Sequence, residues 1–150
     1  MKLKHYIQLA VMIFLTGTTA SCDKAFPNDD LDYMWRMDSI SFLKGVDFNG
    51  NECTGLKKGD VWYCIARDLV EIRSNNSPRG PIGVITEKED SLNFDFTMYR
   101  SDDASKNNEM LWTLRSCGLQ DYLTTYRIEE LGSGKMVLSD SRARLFFTRW

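Results

Sequence analysis

The 150-residue sequence predicts an all-β protein, an eight-stranded antiparallel up-and-down barrel. Short stretches in which apolar and polar residues alternate recur after residue 32, and Ser91–Tyr99 is the clearest of them. The last stretches are joined by the short sequences LGSG and SDS, which are typical of β-hairpin turns. No helical pattern of about ten or more residues follows residue 21. A meander of eight strands removes its exposed edges by closing into a barrel, and an open two-sheet sandwich is the alternative.

The first predicted strand, Tyr33–Phe42, changes the parity of its apolar residues part way along. Trp35 and Met37 share one face and the apolar residues after them take the other, which predicts a β-bulge. The turn-rich segment Gly45–Asp60 is expected to be a long loop. Val61–Ala66 is apolar on both parities and fits either a strand or a short helical turn.

Seven further stretches complete the predicted set of eight strands. In most of them apolar and polar residues alternate, and one begins at a proline, which strands tolerate as their first residue. They are Leu69–Arg73, Pro81–Thr86, Ser91–Tyr99, Met110–Arg115, Thr124–Glu130, Lys135–Ser139 and Arg142–Thr148. Between them, the polar segment Ser101–Glu109 is expected to be a loop, and Ser116–Leu123 a brief helical turn.

The first 21 residues have the features of a secretory signal peptide. Met1–Lys4 carries two lysines, Ile7–Leu15 is almost entirely apolar, and small residues lead up to Cys22. The apolar run is less than half of the ~20 residues that a membrane-spanning helix needs. A cysteine directly after small residues resembles the lipobox of bacterial lipoproteins, although Thr19 stands where an aliphatic residue is usual. The resemblance implies that Cys22 carries a lipid and becomes the N-terminus.

Residues 22–32 are predicted to form an acidic tether, and residues 33–150 the folded domain. Asp23–Asp32 contains four aspartates, one lysine and one proline, a composition that favours a solvated link. Acidic residues soon after the lipid-bearing cysteine also resemble the surface-export signals of Bacteroidota lipoproteins, and a plain spacer is the alternative. We therefore expect the protein on the bacterial outer membrane, anchored on the periplasmic face or the cell surface.

Charge and histidine content exclude several classes of function. Removing residues 1–21, which hold two lysines and no acids, changes the formal charge from −2 to 17 − 21 = −4. An acidic domain without a basic cluster is a poor nucleic-acid binder. The one histidine, His5, lies in the signal peptide, so the remaining chain has no His-activated nucleophile and no His-ligated metal. We expect a protein that is not an enzyme and holds no cofactor.

A short polar stretch partly matches a calcium loop. Asp47, Asn49 and Asn51 alternate like early calcium ligands. However, Gly50 comes too early in the loop, and Lys58 stands where the closing glutamate belongs. A polar turn without metal is the favoured interpretation.

Four cysteines are present, and three of them remain if Cys22 is lipidated. Disulfides persist in an oxidising compartment, and Cys53 and Cys64 are close enough in sequence to close one loop. We predict a Cys53–Cys64 disulfide, and pairing of Cys117 with either of them is the competing arrangement.

Six aromatic residues are expected to point into the barrel and are the candidate ligand-binding residues. They are Trp35, Phe94, Phe96, Trp112, Tyr126 and Phe147. They either line an apolar pocket for a small hydrophobic molecule or fill the barrel as a solid core. In a solid core, replacing Trp112 by alanine is expected to cost about 3–5 kcal/mol of stability.

Several of these features together resemble the small lipocalin-like lipoproteins of Bacteroidota. They are Trp35 on the first strand, the long first loop, the segment CIARDLVEI and the ending YRIEELGSGKMVLSDSRARLFFTRW. The resemblance implies an eight-stranded, calyx-type barrel. It transfers no binding residues, since these lipoproteins share no ligand motif that matches this sequence position by position.

Two functions are compatible with these observations. The first is a lipid-anchored, lipocalin-like envelope lipoprotein that binds or carries a small hydrophobic ligand without catalysis. The second is an interaction or structural lipoprotein with a solid barrel, whose loops Gly45–Asp60 and Ser101–Glu109 contact a protein or glycan partner. An open interior of a few hundred Å³ favours the first, and an interior filled by side chains favours the second.

Replacing Cys22 by serine is expected to release the protein from the membrane fraction, because the lipid on this residue is the predicted anchor. The measurement is sedimentation of membranes followed by immunodetection. A Cys22→Ser variant that still sediments with membranes would contradict the lipoprotein prediction.

Overall fold

The computed structural model describes residues 30–53, 56–57, 60–75 and 79–150. This part of the chain contains nine β-strands, one α-helix and one 3-10 turn. The strands are β1 Met34–Phe42, β2 Leu56–Lys57, β3 Val61–Ala66, β4 Leu69–Ser74, β5 Ile82–Lys88, β6 Ser91–Asp95, β7 Leu123–Gly132, β8 Lys135–Ser139 and β9 Ala143–Arg149. The 3-10 turn is Thr97–Tyr99, and the helix α1 is Ala104–Ser116.

Eight of the strands close into an antiparallel barrel. Each strand from β3 to β8 pairs with the next one along the chain, and β1 pairs with both β3 and β9. The predicted eight-stranded antiparallel barrel is therefore confirmed, and the open sandwich is excluded. The short β2 pairs with the end of β1, inside the segment that we expected to be entirely a loop. Val61–Ala66, for which two conformations were open, is the strand β3.

The predicted bulge in the first strand is also confirmed. The register between β1 and β9 shifts between Met37 and Ser39. One extra residue at this point reverses the parity of the strand, so that Trp35, Met37 and Ile40 are all buried.

The segment before β7 differs from the prediction, because Ala104–Ser116 is a helix of 13 residues. Neither the predicted strand Met110–Arg115 nor the full loop Ser101–Glu109 is present. The Asp103 side chain caps the helix by accepting hydrogen bonds from the backbone N–H groups of Ser105 and Lys106. Within the helix only Leu114 is buried, so the sequence has no apolar stripe that would have indicated a helix.

The helix places Trp112 outside the barrel, with 63% of its surface exposed. The prediction that this ring points inward was wrong. Trp112 is therefore removed from the set of candidate ligand-binding residues.

The two ends of the barrel are built differently. The end where the chain enters, here called the entry pole, comprises Asp30–Tyr33 and the hairpins β3–β4, β5–β6 and β7–β8. Leu31 is fully buried there, and its carbonyl accepts a hydrogen bond of 3.0 Å from Trp35 Nε1. The opposite end, here called the helix pole, comprises residues 97–122, which connect β6 to β7.

Within the described ranges, no helix is both long enough and apolar enough to cross a membrane. The predicted signal peptide, the predicted lipidation site Cys22 and the predicted tether up to residue 29 lie outside these ranges.

The structure does not contain the predicted disulfide, because Cys53, Cys64 and Cys117 are all free thiols. Cys64 pairs across the sheet with Met34 and lies on the outer wall of the barrel, whereas Cys117 is buried. Burial raises the pKa of the Cys117 thiol to about 11.

Replacing Trp35 by alanine is expected to cost about 3–5 kcal/mol of stability, since a fully buried ring leaves a cavity. Replacing Trp112 by alanine is expected to change it by less than about 0.5 kcal/mol, as for other exposed positions. Urea unfolding followed by circular dichroism measures both values. If Trp35→Ala does not fold, Trp35→Phe tests the lost hydrogen bond to Leu31, worth about 1 kcal/mol. A Trp112→Ala variant as damaging as the Trp35 variants would place the Trp112 ring in the core.

Iodoacetamide labelling is expected to find three free thiols in the unfolded, non-reduced protein. In the folded protein Cys117 should react most slowly, because its raised pKa makes its thiolate fraction about 100-fold smaller than that of an ordinary thiol. Peptide mass spectrometry of the labelled protein measures the rates. A disulfide-linked peptide containing Cys53 and Cys64 would reinstate the original prediction.

Candidate functional site

The interior of the barrel holds five of the six aromatic residues that the sequence predicted to point inward. They are Trp35, Phe94, Phe96, Tyr126 and Phe147, each at most 2% exposed. They come from the four strands β1, β6, β7 and β9, with Phe96 one residue past the end of β6, and the alternation along each strand directs them to the same face of the sheet.

Tyr63 is a sixth interior aromatic residue, and the sequence did not single it out. Its ring centroid lies 5.7 Å from that of Phe94 and 4.9 Å from that of Phe147. Phe94 in turn contacts Tyr126 at 6.2 Å, with the two rings nearly perpendicular. The signal that could have found Tyr63 is its parity with Val61 and Ile65, both of which are buried.

These rings fill the interior in the structure described here. Trp35, Tyr63, Phe94, Phe96 and Tyr126 are each 0% exposed, so no water-sized space touches them. Protein interiors with this property are packed cores. The predicted aromatic set therefore forms the core of the barrel and does not line an open pocket.

Part of that core is backbone rather than barrel side chains. Residues Cys117–Leu119, here called the plug, follow α1 and enter the barrel from the helix pole. A Cβ added to Gly118 would lie 3.0 Å from Met37 Cε and 3.1 Å from Leu145 Cδ2. Both contacts come from buried side chains of the barrel wall. Gly118 also has a φ of +95°, which favours glycine.

Two interior tyrosines hold the plug by hydrogen bonds. Tyr63 Oη donates to the carbonyl oxygen of Cys117 at 2.9 Å, and Tyr126 Oη donates to that of Gly118 at 2.5 Å. Burial raises the pKa of Tyr63 and of Tyr126 well above the ordinary value. Both hydroxyls therefore stay protonated and act as donors at neutral pH.

Outside the plug, polar contacts hold the helix pole together. Tyr122 Oη donates to Asn107 Oδ1 at 3.0 Å, and the same oxygen accepts from the backbone N–H of Ser101 at 2.8 Å. Leu114 is the one fully buried residue that α1 contributes. The connection between β6 and β7 is thus anchored by a small number of side chains.

A concavity with a volume of about 510 Å³ lies on the outer wall of the barrel. Its lining combines apolar side chains of β1, β3, β4 and β5 with an ion pair between Arg73 and Glu71 at 2.5 Å. The apolar part of the lining is Tyr33, Met34, Ile65, Ala66, Leu69 and Ile82.

Charged and metal-binding groups are sparse in the interior. Among the described residues, Thr124 is the one buried side chain classed as polar or charged. No cluster of three or more histidine, cysteine, aspartate or glutamate residues suited to a metal occurs in the same part of the chain. Asp47 Oδ1 accepts hydrogen bonds of 2.9 Å from the backbone N–H groups of Asn49 and Asn51, which is the geometry of a polar turn.

Two solved structures share this fold. A lipocalin-like protein from Bacteroides uniformis is 13% identical, with a TM-score of 0.57 over 81% of this chain and 99% of its own. An uncharacterized protein from Bacteroides eggerthii is 16% identical, with a TM-score of 0.54 over 80% of this chain and 99% of its own. At these identities the likeness establishes the fold alone.

The match to a family extends over most of the sequence. The model of the lipocalin-like domain family matches residues 14–150, whereas no curated protein matches the chain. The chain therefore belongs to the lipocalin-like domain family.

Proposed function

We propose that this protein is a lipid-anchored lipoprotein of the bacterial envelope that binds a small hydrophobic ligand in its barrel without catalysis. The ligand takes the place of the plug, Cys117–Leu119. The proposal rests on one observation. Two tyrosine hydroxyls, on β3 and β7, donate hydrogen bonds to a peptide segment that enters the barrel from the helix pole.

The composition of the interior supports a ligand of this kind. Ligand sites are mostly apolar and carry a few convergent polar groups that fix orientation. Tyr63 and Tyr126 are such groups, and the side chains near Gly118 are the apolar Met37 and Leu145. An eight-stranded barrel has room either for its own side chains or for one small ligand. In this proposal the ligand occupies the space that the plug leaves when it withdraws.

In this proposal the ligand binds only the open form, from which the plug has withdrawn. The apparent affinity is therefore the intrinsic affinity multiplied by the fraction of molecules in the open form. If the closed form is favoured by about 3 kcal/mol, the apparent affinity falls about 100-fold. Because α1 itself buries only Leu114, withdrawal of the helix and the plug uncovers three buried side chains, those of Leu114, Cys117 and Leu119.

The proposed anchor is a lipid on Cys22, which places the protein on the outer membrane, on its periplasmic face or on the cell surface. Nine residues lie between Cys22 and Asp32, and Asp32 stands two positions before β1. An extended tether of that length spans at most about 35 Å, so the barrel stays near the bilayer.

A non-catalytic, cofactor-free role is part of the same proposal. It rests on the sparse charge of the interior and on the position of the one histidine, His5, in the proposed signal peptide. The net negative charge argues against nucleic acid as a partner.

A second candidate function is supported by the complete burial of the interior rings. In that case the closed barrel is the working form, and the protein contacts a protein or glycan partner through its outer surface. The groove of about 510 Å³ beside Leu69 and Ile82 is then the candidate contact surface.

Mass spectrometry of the intact protein, purified from its own host, tests the ligand and the anchor together. Under native conditions we expect a discrete added mass that is lost on denaturation, which is the ligand. A second added mass that survives denaturation and maps to Cys22 is the lipid. A protein without the first mass, even after incubation with a lipid extract of the host, would support the second candidate function.

Replacing Gly118 by alanine is expected to displace the plug and to raise binding of the neutral fluorescent probe N-phenyl-1-naphthylamine at least about tenfold. The added methyl group would press on Met37 and Leu145, and the positive φ adds strain of about 1–3 kcal/mol. Gly134→Ala is the matched control, because Gly134 has a φ of +78° and nothing within 4 Å of an added Cβ. Equal probe binding by the two variants would contradict the proposed site.

A further inference from the structure

We infer that the ligand carries a neutral carbonyl group, as in a ketone, ester or amide, and that the hydroxyls of Tyr63 and Tyr126 donate to it in place of the carbonyls of Cys117 and Gly118. This inference rests on the proposed function and specifies the ligand class of the same site.

The hydrogen bonds of the closed form define what the site recognises. The two hydroxyls are donors, and their present acceptors are consecutive, uncharged backbone carbonyls. When the plug leaves, both hydroxyls lose their acceptors inside an apolar barrel. A buried donor left without a partner weakens binding about tenfold or more, so a ligand that supplies acceptor oxygens is favoured over a pure hydrocarbon.

The charge of the surroundings selects a neutral acceptor over a carboxylate. No buried cationic side chain occurs among the described residues. Besides burial, the charge of Asp140 raises the pKa of Tyr126 and Arg142 lowers it to a smaller extent, so the charges around this hydroxyl do not favour an anion. A carboxylate would therefore be buried without a counter-charge, which is strongly unfavourable.

Asp140 is also engaged by its own turn. Its Oδ1 accepts from the backbone N–H groups of Arg142 at 2.6 Å and Ala143 at 2.7 Å, and its Oδ2 accepts from Gln120 Nε2. These contacts hold the carboxylate at the turn between β8 and β9, so it does not serve as an acceptor for the tyrosine hydroxyls when the plug leaves.

The size of the plug sets the length of a suitable test ligand. The plug is a compact turn, in which the Leu119 N–H donates to the Leu114 carbonyl oxygen. At the packing density of protein interiors, its three residues occupy about the volume of a hydrocarbon chain of about ten carbons. Decane, 2-decanone and decanoate share ten carbons and differ in the group offered to the tyrosines, which makes them a matched set of ligands.

The test uses the full chain held by its anchor in phosphatidylcholine nanodiscs. Hydrogen exchange at the backbone amides of Cys117–Leu119 is measured against the concentration of each of the three compounds. A ligand that displaces the plug raises exchange at these amides, because they lose their burial and keep only the local hydrogen bonds at the end of α1. A ligand bound on the outer wall leaves them buried. We expect 2-decanone to act at a concentration at least about tenfold lower than decane or decanoate.

The ratio between 2-decanone and decane is then compared among variants, which cancels the partitioning of each compound into the bilayer. In the Tyr63→Phe, Tyr126→Phe double variant the ratio should fall to within about threefold, because no hydroxyl is left to satisfy. Each single variant should lose part of the preference, which keeps the test available if the double variant does not fold. Tyr122→Phe is the control, since the Tyr122 hydroxyl bonds to Asn107 at the helix pole, and it should keep the wild-type ratio.

The outcomes separate the two proposals. If no compound raises exchange in the plug, the proposed ligand site is wrong, and the inference fails with it. If the compounds raise exchange equally, or decanoate acts best, the ligand site stands and the inference about the neutral carbonyl is overturned. A preference for 2-decanone that survives in the double variant overturns the assignment to the tyrosines.

Discussion

Closure of the sheet between β1 and β9 is the constraint on which the other features depend. A sheet of this size with open edges would expose two rows of unpaired backbone groups, and closure pairs them. To serve both β3 and β9, β1 has to bend, and the bulge after Met37 provides the bend without turning apolar residues outward. Closure also creates an enclosed volume, which the chain has to fill.

Side chains of the strands and the backbone of the plug together fill that volume. Most of it is aromatic and aliphatic side chains from the strands, which contribute hydrophobic stabilisation in proportion to their buried area. The remainder is the backbone of the plug, whose carbonyls would be unsatisfied in an apolar interior without Tyr63 and Tyr126. The two tyrosines thus allow a peptide segment to be buried in the core without unsatisfied carbonyl groups. The same two hydroxyls give an otherwise apolar interior two hydrogen-bond donors.

The barrel could be predicted from sequence because a strand that buries one face has a period of two, which is a local property. Even the bulge after Met37 is visible as a change of parity. The helix could not be predicted, since α1 buries only Leu114 and Met110–Arg115 fits a strand pattern equally well. The plug was also beyond reach, because it depends on Gly118 meeting side chains from the two ends of the barrel sequence. The family resemblance supplied the calyx-type barrel but not the way in which its interior is occupied.

The seal and the plug lie at opposite poles of the barrel. The chain enters at the entry pole, where Leu31 and Trp35 seal the barrel, whereas the plug approaches from the opposite pole. The lipid proposed on Cys22 is therefore attached at the sealed end. The proposed movement of α1 and the plug takes place at the far end, where neither the tether nor the seal has to be disturbed. In this proposal the ligand is exchanged at the end of the barrel that faces water, so that loading and membrane anchoring do not compete for the same surface.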